Sequence, residues 1–293
     1  MSELLASHNA RLHAIDPNAG PAGPLAEPVV EAAHVAGGIR THRYAESDDA
    51  ALWGPLVRHV LHLRWSGERS PDPALSALLR RITSASSWRG DAGAALVWPS
   101  HDLVCAGSFA RHGMTPLTVL GMRVLRKNAP SRLVRPAGTG HLDAITDMAV
   151  RLHNLEASLG VLPTRPNLSV RLLSELTAAL QDPVHRVFVA TEGDSVIGFV
   201  HAQVPHGAWI ESQVTPAPAG YVSRMFVDPA KRGNGVATAL AASVENELME
   251  YGARVALLHY SLHNPGGAAL WVKRGYRSVL TTWSLRPLGH FNA

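Results

Sequence analysis

The chain has 293 residues, 46% of them hydrophobic and 17% charged, with a formal net charge of +4. This excludes a wholly disordered chain, and so small a charge over this length is not the clustered basic footprint of a nucleic-acid binder. The single cysteine, Cys105, excludes a disulfide framework and a Cys-based zinc site, and the 16 histidines form no pair spaced for a metal on a regular element. The length fits two modest domains. No apolar run approaches the roughly 18 residues that span a bilayer, and the first 15 residues carry no signal-peptide pattern. A cytoplasmic protein with no membrane partner is expected.

In chain order, residues 17–38 are rich in Ala, Gly and Pro without a clear period, and residues 1–38 read as a flexible N-terminal segment. Leu52, Leu56, Val60 and Leu63 give a helical rhythm over 50–64. A helix over 74–86, a strand over 94–98, a helix over 103–112 and a strand over 117–124 follow. KNAPS at 127–131 reads as a linker. Beyond it come a strand (132–136), two helices (144–159 and 169–180) and a hairpin (186–190 and 196–204) turning at Glu192-Gly193-Asp194. Next are a strand over 221–227 and a helix over 236–250. Val236, Leu240, Val244 and Leu248 line one face of that helix, while Glu245, Glu247 and Glu250 point elsewhere. A strand (253–260), a helix (266–274) and a strand (277–285) complete a mixed α/β order.

Residues 225–238 read MFVDPAKRGNGVAT. An apolar strand runs into a Gly-rich loop, and a helix starts at once. Gly233 and Gly235 allow a tight turn that exposes backbone N–H groups. The helix begins with unpaired N–H groups and the positive end of its dipole, and Lys231 and Arg232 add full charge. This is a physical recipe for gripping a pyrophosphate. It is neither a P-loop nor the dinucleotide fingerprint.

Arg232-Gly233-Asn234-Gly235-Val236-Ala237, the preceding Val227-Asp228-Pro229, and the later Asn264, Ala268, Trp271, Gly275 and Tyr276 occur in fixed order. On these residues the chain resembles the GNAT acyltransferase superfamily over 132–288. The resemblance implies a GNAT fold, a central mixed and mostly antiparallel sheet flanked by helices, and a donor that is acetyl-CoA or another acyl-CoA. Backbone groups of Met225, Phe226 and Val227 would pair with the pantetheine arm. N–H groups from Arg232 through Gly233, Asn234, Gly235, Val236 and Ala237 to Thr238 would hold the pyrophosphate. Asn264 and Trp271 would border the donor.

Residues 96–113 align with 258–275 at an offset of 162, matching Leu96 with Leu258, His101 with His263, Ala106 with Ala268 and Gly113 with Gly275. Two tandem GNAT-like units are therefore expected. The first, at 39–126, lacks the pyrophosphate loop and is degenerate. The second, at 132–288, is complete.

Acyl transfer needs a neutral amine, a stabilised oxyanion and a leaving thiolate. The resemblance assigns the oxyanion contact to a backbone N–H of Phe226 or Val227. It puts a proton-donating tyrosine where Trp271 stands, and an indole is no acid. It puts a glutamate in some members where Tyr221 stands. Tyr221, His259 and Tyr260 are therefore the candidate proton-transfer groups, and Glu211 is a further carboxylate in a long loop. On the acceptor side, Glu156 suits a cationic amine, Arg165 an acidic group, and Trp209 could pack on an acceptor.

The sequence thus reads as an acyl-CoA-dependent N-acyltransferase acting on a small-molecule or peptide amine. Its Ala- and Arg-rich usage, with the resemblance, suggests a bacterial enzyme, and a homodimer is compatible with it. Two alternatives stand beside this reading. One is an aminoacyl-tRNA-dependent transferase, for which the intact loop at 232–237 is unnecessary. The other is a non-catalytic CoA-binding or scaffold protein.

Overall fold

In the computed structural model, residues 2–25, 27–208 and 210–287 are described. The first half contains α1 (Ser2–Ile15), β1 (Pro28–Ala32), β2 (Val35–Arg43), β3 (Val57–Trp65), α2 (Asp72–Thr83), β4 (Ala92–Pro99), α3 (Leu103–Arg111) and β5 (Thr115–Val124). The second contains β6 (Val134–Pro136), α4 (Leu142–Ser158), α5 (Leu168–Gln181), β7 (His185–Glu192), β8 (Ser195–Gln203), β9 (Ala219–Val227), α6 (Val236–Glu250), β10 (Val255–Ser261), α7 (Pro265–Lys273) and β11 (Arg277–Leu285). Among the described residues, no helix is long and apolar enough to cross a membrane.

All the strands join one 11-stranded sheet, in the order β1-β2-β3-β4-β11-β5-β10-β9-β8-β7-β6. Every neighbour is antiparallel except β3 with β4 and β9 with β10. The succession strand, helix, strand, helix, strand occurs twice, as β3-α2-β4-α3-β5 and β9-α6-β10-α7-β11. The offset of 162 carries α3 onto α7 and β5 onto β11. The two runs interleave at the centre. β5 lies between β10 and β11, and β11 lies between β5 and β4, so each half closes on the other's last strand.

Adjacent strand residues point to opposite faces. On one face, Leu240, Val244 and Leu248 of α6 pack with Val200, Ala256 and Leu258. On the other, Ile145 and Met148 of α4 and Leu172 and Leu176 of α5 pack with Val189, Phe199 and Phe226. The first half has its own core, where Leu75, Leu78 and Ile82 of α2 meet Leu61, Leu63, Leu96 and Phe109.

Three expectations change. Residues 50–64 are not a helix: a 3-10 turn, Asp49–Trp53, ends at Gly54-Pro55, and β3 follows. His59, Leu61, Leu63 and Trp65 are buried in strict alternation, and this period of two overrides the coincidental helical spacing. The N-terminal segment is not a loose run: Leu4, His8 and Leu12 form one buried stripe along α1, and β1 pairs with β2.

Glu245 is the third case. It is fully buried rather than turned to solvent. Arg123 of β5 donates to its Oε2 at 2.6 Å, and Arg274 donates to the same oxygen at 2.5 Å. Asn128 Nδ2 and the Tyr276 hydroxyl donate at 3.1 and 3.2 Å. One carboxylate thus fastens a first-half strand, the linker, α6 and the end of α7. Glu245→Ala strands two arginines and is expected to cost about 3–5 kcal/mol. Urea denaturation checks this, and a change below 1 kcal/mol would show the network to be incidental.

Candidate active site

β9 and β10 pair in parallel only from Ala219 to Val222 and from Val255 to Leu258. Beyond that point they diverge. The ladder between β8 and β9 has a bulge there, with His201 opposite Arg224 and Ala202 opposite Val222, so Ser223 is the extra residue. Past the bulge, the Asp228 N–H donates to Ile197 O at 3.0 Å. By strand alternation, Phe226 also directs its backbone at β8, while Met225 and Val227 direct theirs into the opening. Arg232 Nε accordingly reaches Val227 O at 3.2 Å. Phe226 contributes its ring instead, which lies beneath the guanidinium groups of Arg151 and Arg232 at 5.0 and 5.7 Å.

The chain leaves β9 through a 3-10 turn, Pro229–Lys231, capped by Asp228 Oδ1 on the Ala230 N–H at 2.9 Å. Gly233 and Gly235 then adopt φ of +83° and +78°, values that strain any residue with a Cβ. No atom lies within 4 Å of a Cβ built on either one. They face a hollow of about 590 Å³ lined by Val227, Lys231, Arg232, Val236, Thr238 and Lys273, among others. The first helical bond of α6 here is Ala239 N–H to Gly235 O, so the N–H groups of Val236, Ala237 and Thr238 precede the ladder. Asn234 is exposed at the loop tip. Asn264 caps α7, its Oδ1 accepting from the Gly267 N–H at 3.1 Å, and borders the groove that runs from this hollow along Met225, Phe226 and Val227.

Where the strands part lies a smaller cavity of about 130 Å³. Ser223, Arg224, His259, Tyr260 and Trp271 line it from β9, β10 and α7, and His153 and Glu156 from α4. Trp53 reaches it from the first half. His259 Nδ1 and the Tyr221 hydroxyl are 3.0 Å apart, and Tyr221 stands behind His259. Burial pushes Tyr221 up to about 12 and pulls His259 down to about 4, so both are neutral near pH 7. Burial also raises the Tyr260 phenol and the Glu156 carboxyl, the latter opposed by Arg224. Arg224 pairs with Glu175 of α5 and lies 5.0 Å from the Trp53 ring. Two buried polar atoms in this lining, Ser223 Oγ and His153 Nδ1, have no hydrogen-bond partner among the described residues.

The remaining sequence candidates fall elsewhere. Arg165 is held in structure, donating to Ala51 O and Gly54 O and pairing with Asp91 at 2.5 Å, all in the first half. Glu211 Oε1 accepts from the N–H groups of His206, Gly207 and Ala208 and so staples its own loop. Trp209 lies outside the described residues. Trp271 packs edge-on to Tyr276 with ring centroids 5.3 Å apart. Trp53, Ser223 and Arg224 were not singled out from sequence. Trp53 falls within the apparent helical rhythm of residues 50–64, and a bulge leaves no mark in residue type.

Residues 149–276 match the family model described as Acetyltransferase (GNAT) family. The second half carries a GNAT acetyltransferase domain. The chain is similar to the crystal structure of a GCN5-related N-acetyltransferase from Sphaerobacter thermophilus. That match has 14% identity and a TM-score of 0.51, and covers 86% of this chain and 76% of that one. It extends the likeness of fold across both halves of the chain. An aminoglycoside N-acetyltransferase, AAC(6')-Iy in complex with CoA, matches at 20% identity and a TM-score of 0.43 over 53% of this chain and 93% of that one. An aminoglycoside antibiotic 6'-N-acetyltransferase from Acinetobacter haemolyticus matches at 17% identity and 0.41 over 50% and 91%. No curated protein matches the chain.

Proposed function

We propose that this acetyltransferase moves an acyl group, acetyl in the simplest case, from acyl-CoA to a primary amine of a small molecule or peptide within a ternary complex. The observation that carries the reading is the parting of β9 from β10 at Ser223. It opens a backbone edge next to a positive-φ glycine loop and a cavity holding unpartnered polar atoms. The residues fit an acyl-CoA. The hollow under Gly233 and Gly235 would hold the pyrophosphate on the N–H groups of residues 233–238, with Arg232 and Lys273 adding charge. Met225 and Val227 would pair with the pantetheine arm as an added strand. Asn264 and Trp271 would flank it. When bound, acyl-CoA supplies a thioester whose carbonyl is open to attack by an amine.

The chain's own residues supply the rest. Val227 N–H, rather than that of Phe226, is placed to stabilise charge on an oxygen in the opening. Glu156 receives the amine and takes its proton, since its raised carboxyl is a better-matched base than an ordinary glutamate. His259, held by Tyr221, stays neutral and lines the reacting end, so Tyr221 is a positioning residue. Tyr260 is the phenol nearest to the role that Trp271 cannot fill. In this reading, residues 132–288 carry the complete donor machinery, though not a sheet that closes without β5, and 39–126 are its degenerate counterpart, which lends Trp53 to the acceptor end.

Glu156→Gln is expected to lower kcat/KM about 100-fold, the scale of a lost general base, with acetyl-CoA affinity unchanged. The sign of the pH dependence follows from the raised carboxyl. The carboxylate form is lost as pH falls through a value above the usual glutamate range. The acid limb of the wild-type profile should therefore sit high and vanish in the variant. Thiol release from acetyl-CoA over an amine panel checks both. An unchanged rate and limb in Glu156→Gln would remove Glu156 from the reaction.

A further inference from the structure

The first half holds a second opening of the same kind. β3 and β4 pair in parallel from Val57 to Leu61 and from Ala92 to Leu96, and β3 then runs on to Trp65 without that pairing. The correspondence can be fixed bond by bond. The Ser66 N–H donates to His34 O as the Asp228 N–H does to Ile197 O, both at 3.0 Å. Trp65 therefore corresponds to Val227, and its backbone faces the opening. Asp102 caps α3 by accepting from the Cys105 N–H, as Asn264 caps α7 by accepting from the Gly267 N–H. Ser66, Trp65, Asp102 and Cys105 each stand 162 residues before their counterparts, and His34 stands 163 before Ile197, the one-residue difference left by the bulge at Ser223. At strand level two differences stand: β3 pairs with β2 without a bulge, and Val57 faces Ala92 where Ala219 faces Val255, one residue out of the 162 offset.

This second opening is filled. His8 Nδ1 lies 3.2 Å from both the backbone N–H and the carbonyl oxygen of Trp65, the counterpart of the residue whose N–H in the second half would meet the donor arm, and so meets this edge of β3 in either tautomer. The His8 ring also lies against Trp98, with centroids 5.5 Å apart, and His8 is 1% exposed. Arg11, one turn on, pairs with Asp102 at 2.6 Å and lies 4.1 Å from the Trp65 ring centroid. The loop after β3 contributes Gly67, at φ +99°, and a Cβ there would meet Arg11 Cδ at 3.1 Å. By contrast, the loop glycines of the second half face open space.

We infer that the first half retains a donor-type cleft as a peptide-binding site, and that its resident ligand is the chain's own α1, which inserts His8 against the edge of β3 and Arg11 against Asp102. The chemistry it selects is a short helix with His and Arg three positions apart on an apolar stripe, here Leu4 and Leu12. The cleft is thereby closed to acyl-CoA, and one chain carries one donor. That the cleft is of donor type rests on the reading of the second half; that α1 fills it does not.

Hydrogen exchange on the full chain tests it. Arg11→Ala is expected to speed exchange of the α1 amides and of the Trp65 N–H at least tenfold, with α6 and β10 unchanged and Arg11→Lys restoring much of the protection. Protection equal to wild type in Arg11→Ala would overturn the inference, as would global loss of protection in both variants. Titration of the full-length Gly235→Val variant with acetyl-CoA is the second arm. No site of wild-type affinity is expected, and one remaining site with wild-type affinity would show the first cleft open. Absence of binding in the wild type as well would count against the donor reading of the second half, and the exchange result would still decide the role of α1.

Discussion

A fragment of residues 127–293 is expected to be insoluble or unfolded, although it contains every residue of the family match. The cause is topological. In the intact chain β10 bonds to β5 along its whole length, from Val255 opposite Val124 to Ser261 opposite Thr118. On its other side β5 bonds to β11. The fragment lacks β5, so two strands lose their shared neighbour and the sheet is cut at its centre. It also loses Leu120 and Met122 from the buried layer and strands Glu245 without Arg123. Unpaired edges and exposed apolar faces of this extent lead to aggregation rather than to a smaller domain. Circular dichroism and gel filtration of the fragment check the outcome. A monodisperse, cooperatively melting fragment would mean that β11 can move across to pair with β10, and that the interleaving is dispensable.

Gly235→Val is expected to weaken acetyl-CoA binding by about 100-fold or more, equivalent to about 2.7 kcal/mol. Two effects act together. A β-branched residue resists φ of +78°, so the loop must distort and lose the aim of its N–H groups. The side chain also projects into the hollow, where no protein atom stands within 4 Å to deflect it. Gly235 is exposed at the N-terminus of α6 and is not part of the core, so the melting temperature should change little. Calorimetric titration beside a thermal melt separates loss of the cradle from loss of the fold. Wild-type affinity in a folded variant would remove this loop from the donor site.

What could be read from sequence was local. α6 and β11 were bounded to the residue, and the strand, loop and helix around Gly233 and Gly235 stood where the residue types required. These features depend on near neighbours. The repeat is also legible, because Leu96 with Leu258, His101 with His263, Ala106 with Ala268 and Gly113 with Gly275 keep their spacing along the chain. What was missed depends on distant partners. Glu245 is buried because Arg123 lies 122 residues before it, and Arg165 is engaged because Ala51, Gly54 and Asp91 surround it. α1 was missed because three of its stripe positions, Leu4, His8 and Leu12, give a weak apolar signal unless His8 is counted as buried. The exchange of β5 and β11 leaves no trace in either strand's composition. Tyr221 and His259 were named separately, and only the parallel pairing of β9 with β10 brings them within a hydrogen bond.

If acyl-CoA binds in the opening between β9 and β10, the amides that line it must respond. In the nitrogen-labelled chain titrated with acetyl-CoA, saturable shift changes are expected at Met225, Val227 and residues 233–238, with those of Trp65 and the loop after β3 unmoved. Changes centred on the first half, or none at millimolar acetyl-CoA, would contradict binding there.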